Sequence, residues 1–229
     1  MKETFARYGI KLSDDKIEKL KYFGEIIKEY NCKINLTSVV DDREVLIKHF
    51  LDSAIGEKFF PIGANCCEVG SGGGFPSLPL KIVREDLLFT LIEATGKKCE
   101  YLKYAVKELS LDNVLVVCGR AEELGKDKNY REKFDAVTAR AVAKMNVLCE
   151  YCAPFIKVNG KFIAYKGEAA EELKEAENAV KTLGLAIEGV NCFDLPDGMG
   201  KRNIIVMEKI KNTPAAYPRG NGKERKKPL

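Results

Sequence analysis

Hydrophobic residues recur at helical spacing near the start of the chain. Leu20, Phe23 and Ile27 fall on one face of a helix predicted over residues 13–30. Ser13 precedes this pattern as a capping residue, because its hydroxyl can bind a free N–H of the first turn. After a polar turn, a second helical pattern covers residues 45–50. The sequence therefore predicts a helical N-terminal extension, residues 1–62, that packs on the core.

From residue 64 onward, short apolar runs alternate with helical stretches. The predicted strands in this region are residues 64–69, 87–93, 113–118, 134–140 and 160–167. Such alternation predicts a parallel sheet wound with helices. Two more strands, 186–195 and 202–209, have no helix between them and should pair antiparallel. We expect an α/β core over residues 63–212, with a mostly parallel seven-stranded sheet that ends in an antiparallel hairpin.

Composition places the chain among ordinary globular proteins. Its 229 residues are 45% hydrophobic and 31% charged, and no apolar run approaches the roughly 18 residues that span a bilayer. No secretory leader is evident, so we expect a cytoplasmic protein without a membrane partner, with its eight cysteines as thiols. Cys149 and Cys152 form the single C-x-x-C pair, far in sequence from His49. We therefore expect no metal site.

The net charge of +4 is concentrated at one end of the chain. Residues 213–229 carry five basic residues and one acid, which accounts for the whole excess. The five are Arg219, Lys223, Arg225, Lys226 and Lys227. Rich in proline and glycine, this basic C-terminal tail is predicted to be mobile until it meets a partner, and to bind RNA phosphates. Charge runs are more often simply solvated.

A glycine-rich loop follows the first predicted strand. Its glycines are Gly70, Gly72, Gly73 and Gly74. A dinucleotide loop would have the spacing G-x-G-x-x-G, but Phe75 and Ser77 stand where the third glycine belongs. With Glu68 before it, the loop has the pattern E-x-G-x-G-x-G, which resembles the S-adenosylmethionine loop of class I methyltransferases. In that class the acid lies near the cationic amino group of the cofactor.

Two further strand ends suit a nucleoside. Glu93 ends the second strand, where a carboxylate can accept hydrogen bonds from a ribose diol. It can equally be a solvated capping acid. Ala121 and Glu122 follow the third strand, at the turn that lines the adenine in methyltransferases. Glu122 alone is more often a surface charge. Together the three strand ends favour a Rossmann-like class I fold that uses S-adenosylmethionine and releases S-adenosylhomocysteine.

The fourth strand offers no motif for activating a methyl acceptor. It lacks the Asn/Asp-Pro-Pro-Tyr/Phe motif of amino-directed enzymes and ends in Arg140. No basic activator is evident beside Cys149 or Cys152. An acceptor that needs no deprotonation fits this strand end, and guanine N7, with its free lone pair, is one. Catalysis would then consist mainly of positioning. Small-molecule O-methyltransferases can also lack a base motif.

Six stretches carry a closer resemblance. They are "NLTSVVDDREVLIKHFLDS" (36–53), "EVGSGGGFPSLPLKIV" (68–83), "TARAVA" (138–143), "YKG" (165–167), "RNIIVMEK" (202–209) and "TPAAYPRGNGKERKKPL" (213–229). They resemble the bacterial 16S ribosomal RNA guanine-N7 methyltransferases, the glucose-inhibited division protein B group. The resemblance implies methylation of N7 of a guanine in the 530 loop of small-subunit rRNA.

The resemblance also assigns site residues. Cofactor contacts fall on Gly70, Phe75, Ala121, Glu122 and Arg140. Two departures from the family pattern are Glu68, where aspartate is commoner, and Phe75, where leucine is frequent. Arg140 is expected where cofactor and guanine meet, unless it is a structural ion pair with Asp135 or Glu122. Lys166 and Arg202 are expected to contact rRNA.

Other interpretations remain open at this stage. We expect His49 to be packed in the N-terminal extension, and Asp52 to cap a helix or pair locally. The chain is expected to be a monomer. A class I methyltransferase acting on a small molecule is one alternative, and a nonenzymatic ribosome-binding protein with a retained cofactor fold is another. A nicotinamide oxidoreductase is disfavoured by the broken glycine fingerprint.

Overall fold

Seven strands form one sheet in the computed structural model, which describes residues 1–229. The strand order is β3-β2-β1-β4-β5-β7-β6. Strands β1 to β5 pair in parallel, whereas β7 is antiparallel to both β5 and β6. The predicted α/β architecture with an antiparallel C-terminal hairpin is confirmed.

The elements, in chain order, are α1 (Lys2–Ala6), α2 (Asp14–Asn31), α3 (Asp42–Glu44), a π-helix (Val45–Leu51), α4 (Asp52–Ala54), a 3-10 turn (Glu57–Phe59), β1 (Asn65–Val69), α5 (Ser77–Val83), β2 (Leu88–Glu93), α6 (Gly96–Glu108), β3 (Val114–Cys118), α7 (Ala121–Leu124), β4 (Phe134–Arg140), α8 (Met145–Cys152), a 3-10 turn (Ala153–Phe155), β5 (Ile156–Lys166), α9 (Ala170–Glu175), α10 (Glu177–Thr182), β6 (Leu185–Asp194), a 3-10 turn (Pro196–Gly198), β7 (Lys201–Lys209) and α11 (Lys223–Lys226).

The N-terminal helices pack on one face of the sheet. Ser13 caps α2 by accepting a hydrogen bond from the backbone N–H of Lys16 at 3.3 Å, as the sequence predicts. Phe23 of α2 and Phe50 of the π-helix stack with ring centroids 5.6 Å apart. Both belong to the same buried cluster as Leu91 of β2. The helical segment and the sheet therefore share one hydrophobic core, which fixes residues 42–54 at the carboxyl edge of the strands.

One helical stretch is interrupted and another begins late. Residues 168–184, which carry a continuous helical pattern, form α9 and α10 with a break at Ala176. Helix α5 begins only at Ser77, so Pro79 lies in its first turn, where a missing N–H costs no intrahelical bond. The late start leaves residues 70–76 as an open loop between β1 and α5.

The basic tail is ordered, contrary to the prediction that it would be mobile. The Arg219 guanidinium pairs with the carboxylate of Glu150, which is 1% exposed, at 2.6 Å. Arg131 also donates hydrogen bonds to the carbonyls of Thr213 and Tyr217. The run of basic residues in the sequence does not show that Glu150 of α8 is buried. A buried carboxylate needs a cation beside it, and Arg219 supplies that cation. We call residues 213–229 the C-terminal strap.

Candidate functional site

The glycine loop is shaped by left-handed backbone. Gly70 (φ +73°) lies so close to Val142 that a Cβ atom would come within 2.7 Å of its side chain. A Cβ atom on Gly74 (φ +87°) would likewise come within 2.6 Å of the Leu78 side chain. Gly72 (φ +53°) is different, since the nearest atom to its missing Cβ is a backbone oxygen at 3.8 Å. The loop therefore presents bare backbone to open space at Gly72, which suits the close approach of a ligand.

A cavity of about 290 Å³ opens at the carboxyl ends of β1, β2 and β3. It is lined by Val69, Gly70, Ile92, Glu93, Ala94, Gly119, Arg120, Ala121, Glu122, Val142, Tyr151, Gly222, Glu224 and Arg225. We call it the first cavity. Four residues predicted to bind the cofactor lie in its wall: Gly70, Glu93, Ala121 and Glu122. Open α/β sheets bind ligands in this crevice.

Glu93 is held in place by the backbone. Its Oε2 accepts a hydrogen bond from the N–H of Gly72 at 2.9 Å, and its Oε1 accepts one from the N–H of Thr95 at 2.8 Å. Glu93 thus also caps the backbone just before α6, which was the alternative interpretation of this residue. A carboxylate has about four acceptor positions. Glu93 therefore retains capacity to accept bonds from a ligand in the first cavity.

The C-terminal strap forms one wall of the first cavity, which the sequence did not predict. Tyr151 of α8 donates a hydrogen bond to Oε1 of Glu224 at 2.9 Å. The Nε of Arg225 in turn donates to the Tyr151 hydroxyl at 3.1 Å. The single available signal was the mixed composition of the strap, in which Glu224 interrupts a run of cations.

Glu68 does not reach the first cavity. It is completely buried, and its Oε2 accepts a hydrogen bond from the Ser77 hydroxyl at 2.7 Å. Burial, only partly offset by the bond from Ser77, raises the pKa of Glu68 to about 7. Gly72 and Gly74 also lie outside the lining. Glu68 therefore stands behind the glycine loop, where its role is to hold the start of α5.

A second cavity of about 320 Å³ lies between the sheet and the N-terminal helices. Its lining is Val39, Lys48, His49, Asp52, Arg140, Ala141, Tyr165, Lys166, Gly167 and Arg202. Three residues predicted for the acceptor side, Arg140, Lys166 and Arg202, therefore meet here. Lys48 and Asp52 were not predicted as cavity residues.

Asp52 joins the two arginines of the second cavity. Nη1 of Arg140 donates to Oδ2 of Asp52 at 2.8 Å. Nε of Arg202 lies 3.1 Å from Oδ1, but this oxygen has no aligned hydrogen bond. The carboxylate side chain is 3% exposed. The expectation that Asp52 pairs locally is wrong, because both arginines are distant in sequence. Arg140 does form an ion pair, the alternative to a place beside cofactor and guanine, but with Asp52 rather than with Asp135 or Glu122.

Phe75 packs against two residues of the second cavity and does not line the first cavity. Its ring stacks on that of His49 with centroids 4.3 Å apart, and the Arg140 guanidinium lies 4.9 Å from the same ring. Burial and the Arg140 charge lower the pKa of His49 to about 4. Its Nε2 lies 2.8 Å from the Thr37 hydroxyl. A neutral imidazole of such low pKa is a poor general base near neutral pH.

The remaining predicted RNA contacts divide into two groups. Lys166 is bound to the Ala143 carbonyl at 2.7 Å and pairs with Glu172, and Arg219 is committed to Glu150. Lys223, Lys226 and Lys227 are exposed, and none of them forms an ion pair. Those three are therefore free to meet phosphate. Arg225 is also exposed and forms no ion pair, but its Nε is bound to the Tyr151 hydroxyl.

Comparison with solved structures defines the class. A SAM-dependent methyltransferase from Aquifex aeolicus superposes with a TM-score of 0.54 and 18% identity, over 73% of this chain and 94% of that one. M. jannaschii TYW2 in complex with AdoMet superposes with a TM-score of 0.53 and 15% identity, over 87% of this chain and 78% of that one. The fold is that of the class I S-adenosylmethionine-dependent methyltransferases, as the sequence predicted.

Sequence relatives then narrow the class to a family. The model of rRNA small subunit methyltransferase G matches residues 16–205. The ribosomal RNA small subunit methyltransferase G of Brevibacillus brevis is 46% identical over 230 residues, 99% of this chain and 97% of that protein. The one of Clostridium perfringens is 40% identical over 232 residues, 100% of this chain and 97% of that protein. The chain belongs to the rRNA small subunit methyltransferase G family.

The first cavity fits the cofactor of this class. Glu93 offers acceptors for a ribose diol, and Oε2 of Glu224, a residue of the lining, is buried without a partner. Elsewhere, none of the helices is long and apolar enough to cross a membrane. No three His, Cys, Asp or Glu side chains are grouped to hold a metal ion, and all eight cysteines are free.

Proposed function

We propose that the protein methylates N7 of a guanine in the 530 loop of small-subunit rRNA. When bound, S-adenosylmethionine supplies an electrophilic methyl group. The first cavity holds the cofactor through Gly70, Glu93, Ala121 and Glu122. The second cavity receives the target base. This division is supported by the two linings, which share no residue.

The observation that carries the choice of acceptor is the pairing of Asp52 and Arg140 without an effective base beside them. Guanine N7 has a free lone pair, so no proton need leave before it attacks a methyl group. His49, with a pKa of about 4, is poorly suited to remove one. The residues of the second cavity therefore have to position the base and exclude water.

Asp52 also suits guanine over the other bases. Its Oδ1 is buried and lacks an aligned hydrogen bond. A carboxylate accepts hydrogen bonds only, and guanine alone presents two donors, N1–H and the N2 amino group, on one edge. Such a contact leaves N7 free on the opposite side of the base. Arg140 then acts as a positioning residue, because its guanidinium fixes the carboxylate.

Phosphate contacts come from exposed cations. Lys223, Lys226 and Lys227 carry three exposed charges on the C-terminal strap, where an RNA backbone can release counterions on binding. Arg202 contributes at the second cavity. We assign Arg219 and Lys166 to holding the site together, because their charges are already paired with Glu150 and Glu172.

The direct test uses labelled cofactor. Purified protein is incubated with S-adenosylmethionine carrying a labelled methyl group and small ribosomal subunits from cells that lack the protein. The rRNA is then digested and its nucleosides are analysed by mass spectrometry, with oligonucleotide mapping of the label. Label in 7-methylguanosine of the 530 loop is expected. Label in another nucleoside, or none on any rRNA form while cofactor binding is confirmed, would show that the acceptor is wrong.

A further inference from the structure

Glu224 is an acid of the C-terminal strap that the fold does not explain. It is 1% exposed and lies in the wall of the first cavity. Tyr151 satisfies Oε1, but Oε2 has no hydrogen-bond partner. Leaving a buried carboxylate oxygen without a partner destabilises the fold, because the oxygen has lost its water and gained no donor. Because Glu224 lines the first cavity, a ligand bound there can supply the missing donor.

The nearby cations do not supply that donor. Arg219 places its guanidinium on Glu150, with distances of 2.6 Å from Nη2 to Oε2 and 2.9 Å from Nε to Oε1. Arg225 directs its Nε to the hydroxyl of Tyr151. Glu224 is thus the one acid of the strap, and it sits inside a cluster of arginines without an ion pair of its own.

We propose that Glu224 accepts a hydrogen bond from the exocyclic amino group of the cofactor's adenine, and so selects the base. Ala121, at the turn expected to line the adenine, lines the same cavity. A carboxylate is an acceptor only, so it favours a 6-amino purine and opposes a 6-oxo purine, whose carbonyl oxygen has no proton to donate. The strap is then part of the cofactor site rather than only an RNA-binding tail.

Glu122 is the competing acid and is less suited to this role. Its side chain is 15% exposed, and its Oε1 lies 3.7 Å from Nη1 of Arg120. It also lines the neighbouring depression beside Lys126 and Arg219. A carboxylate at that rim is open to water and to a cation, whereas the free oxygen of Glu224 is not.

The inference rests on the assignment of the first cavity to the cofactor, but not on the methyl acceptor. The test measures calorimetric affinities of the full chain, without RNA, for S-adenosylhomocysteine and S-inosylhomocysteine, which differ in the amino or oxo group at position 6. The readout is the ratio of the two affinities. In Glu224→Gln this ratio should fall about tenfold, because an amide can accept from an amino group or donate to a carbonyl.

Two matched variants keep the experiment decisive. Glu123→Gln removes the same charge from an exposed neighbour outside the first cavity, and should keep the wild-type ratio. Glu122→Gln tests the competing acid. An unchanged ratio in Glu224→Gln, with its fold verified by thermal unfolding, overturns the proposal. So does a ratio that falls in Glu122→Gln instead. Wild-type protein that binds neither nucleoside overturns the assignment of the cavity itself.

Discussion

Arg140 and Asp52 meet across 88 residues of sequence, with Nη1 and Oδ2 2.8 Å apart. Arg140 ends a central strand, and Asp52 begins a short helix of the N-terminal extension. Their ion pair is nearly buried, with side chains 14% and 3% exposed. The N-terminal extension is therefore a structural part of the second cavity. A change in the extension at Asp52 also affects Arg140 at the end of β4.

Asp52→Asn should separate guanine recognition from folding. The amide keeps the size of the side chain but turns one acceptor into a donor that faces guanine's N1–H and N2 amino group. We expect methyl transfer to small subunits to fall by about 100-fold, in line with a misplaced reacting base. Calorimetric affinity for S-adenosylhomocysteine should stay at the wild-type value. A variant with normal transfer rates would contradict the role of Asp52.

Asp52→Ala serves as the companion change, since it leaves the Arg140 charge buried without a partner. Breaking a buried pair in this way costs about 3–5 kcal/mol of unfolding free energy. Chemical denaturation measures it. If Asp52→Ala were as stable as the wild type, the pair would contribute little to holding the extension.

Gly72 and Gly74 should respond differently to substitution. Gly72→Asp adds a carboxylate at the residue whose N–H binds Glu93, with the nearest protein atom 3.8 Å from the new Cβ and at a dihedral that aspartate tolerates, so the protein should fold while S-adenosylhomocysteine binding is lost. Gly74→Ala places a methyl group 2.6 Å from Leu78 at φ +87°, and should cost at least about 2 kcal/mol of stability. Calorimetry and denaturation distinguish the two outcomes. Normal affinity in Gly72→Asp would refute the loop assignment.

Deleting residues 219–229 should affect more than RNA binding. From the basic composition alone, only rRNA affinity was expected to fall. The structure adds two consequences: Glu150 loses the cation that neutralises it, at about 3–5 kcal/mol, and the first cavity loses a wall. The double variant Glu150→Gln/Arg219→Gln should recover much of the stability, because no unpaired charge remains. Denaturation of both proteins measures the difference.

The RNA contribution of the strap is better tested by its exposed lysines. A Lys223→Ala/Lys226→Ala/Lys227→Ala variant should bind rRNA more weakly. The slope of log affinity against log salt should decrease by about 0.7 for each phosphate of single-stranded RNA that the variant no longer neutralises. Affinity for S-adenosylhomocysteine should not change. A salt slope equal to that of the wild type would remove these residues from the interface.

Glu68 and His49 should give opposing pH dependences of stability. The folded-state pKa of Glu68 is raised from 4.5 to about 7, so its contribution is complete below pH 4.5 and is lost as pH rises to 7. The folded-state pKa of His49 is lowered from 6.5 to about 4. Its contribution to stability is therefore complete above pH 6.5 and is lost as pH falls to 4. Between pH 4.5 and 6.5 the two slopes largely cancel.

Glu68→Gln should therefore expose the effect of His49. Relative to the wild type, its free energy of unfolding should increase by about 3 kcal/mol between pH 4.5 and pH 7. Denaturant titrations at several pH values provide the measurement, with Glu188→Gln on the surface of β6 as the control for loss of one charge. A constant difference between Glu68→Gln and the wild type would mean that burial does not perturb this carboxyl.

The sheet and the glycine loop could be predicted because their signals are local. Alternating apolar runs determined the strands, and four closely spaced glycines marked the loop between β1 and α5. Glu93 was found by the same reasoning, since a strand end in a parallel sheet has a known place. These predictions required only the period of a strand and the topology that alternation implies.

The partners of charged residues could not be predicted in this way. Asp52 was expected to pair locally and instead joins Arg140 and Arg202, which are distant in sequence. Arg219 was assigned to RNA because no pattern shows that Glu150 is buried in α8. Glu224 was overlooked for the same reason. Burial of an acid depends on tertiary packing, and only the packed structure shows which cation or ligand neutralises it.

The π-helix at Val45–Leu51 makes the second cavity sensitive to the number of residues in this stretch. Its wider turn brings Lys48, His49 and Asp52 to one cavity. Removing a single residue within this stretch would convert it to an ordinary α-helix, because a π-helical turn holds about one residue more than an α-helical turn. A substitution keeps the order of these three side chains along the chain, whereas an insertion or deletion changes which residues of the wide turn face the second cavity.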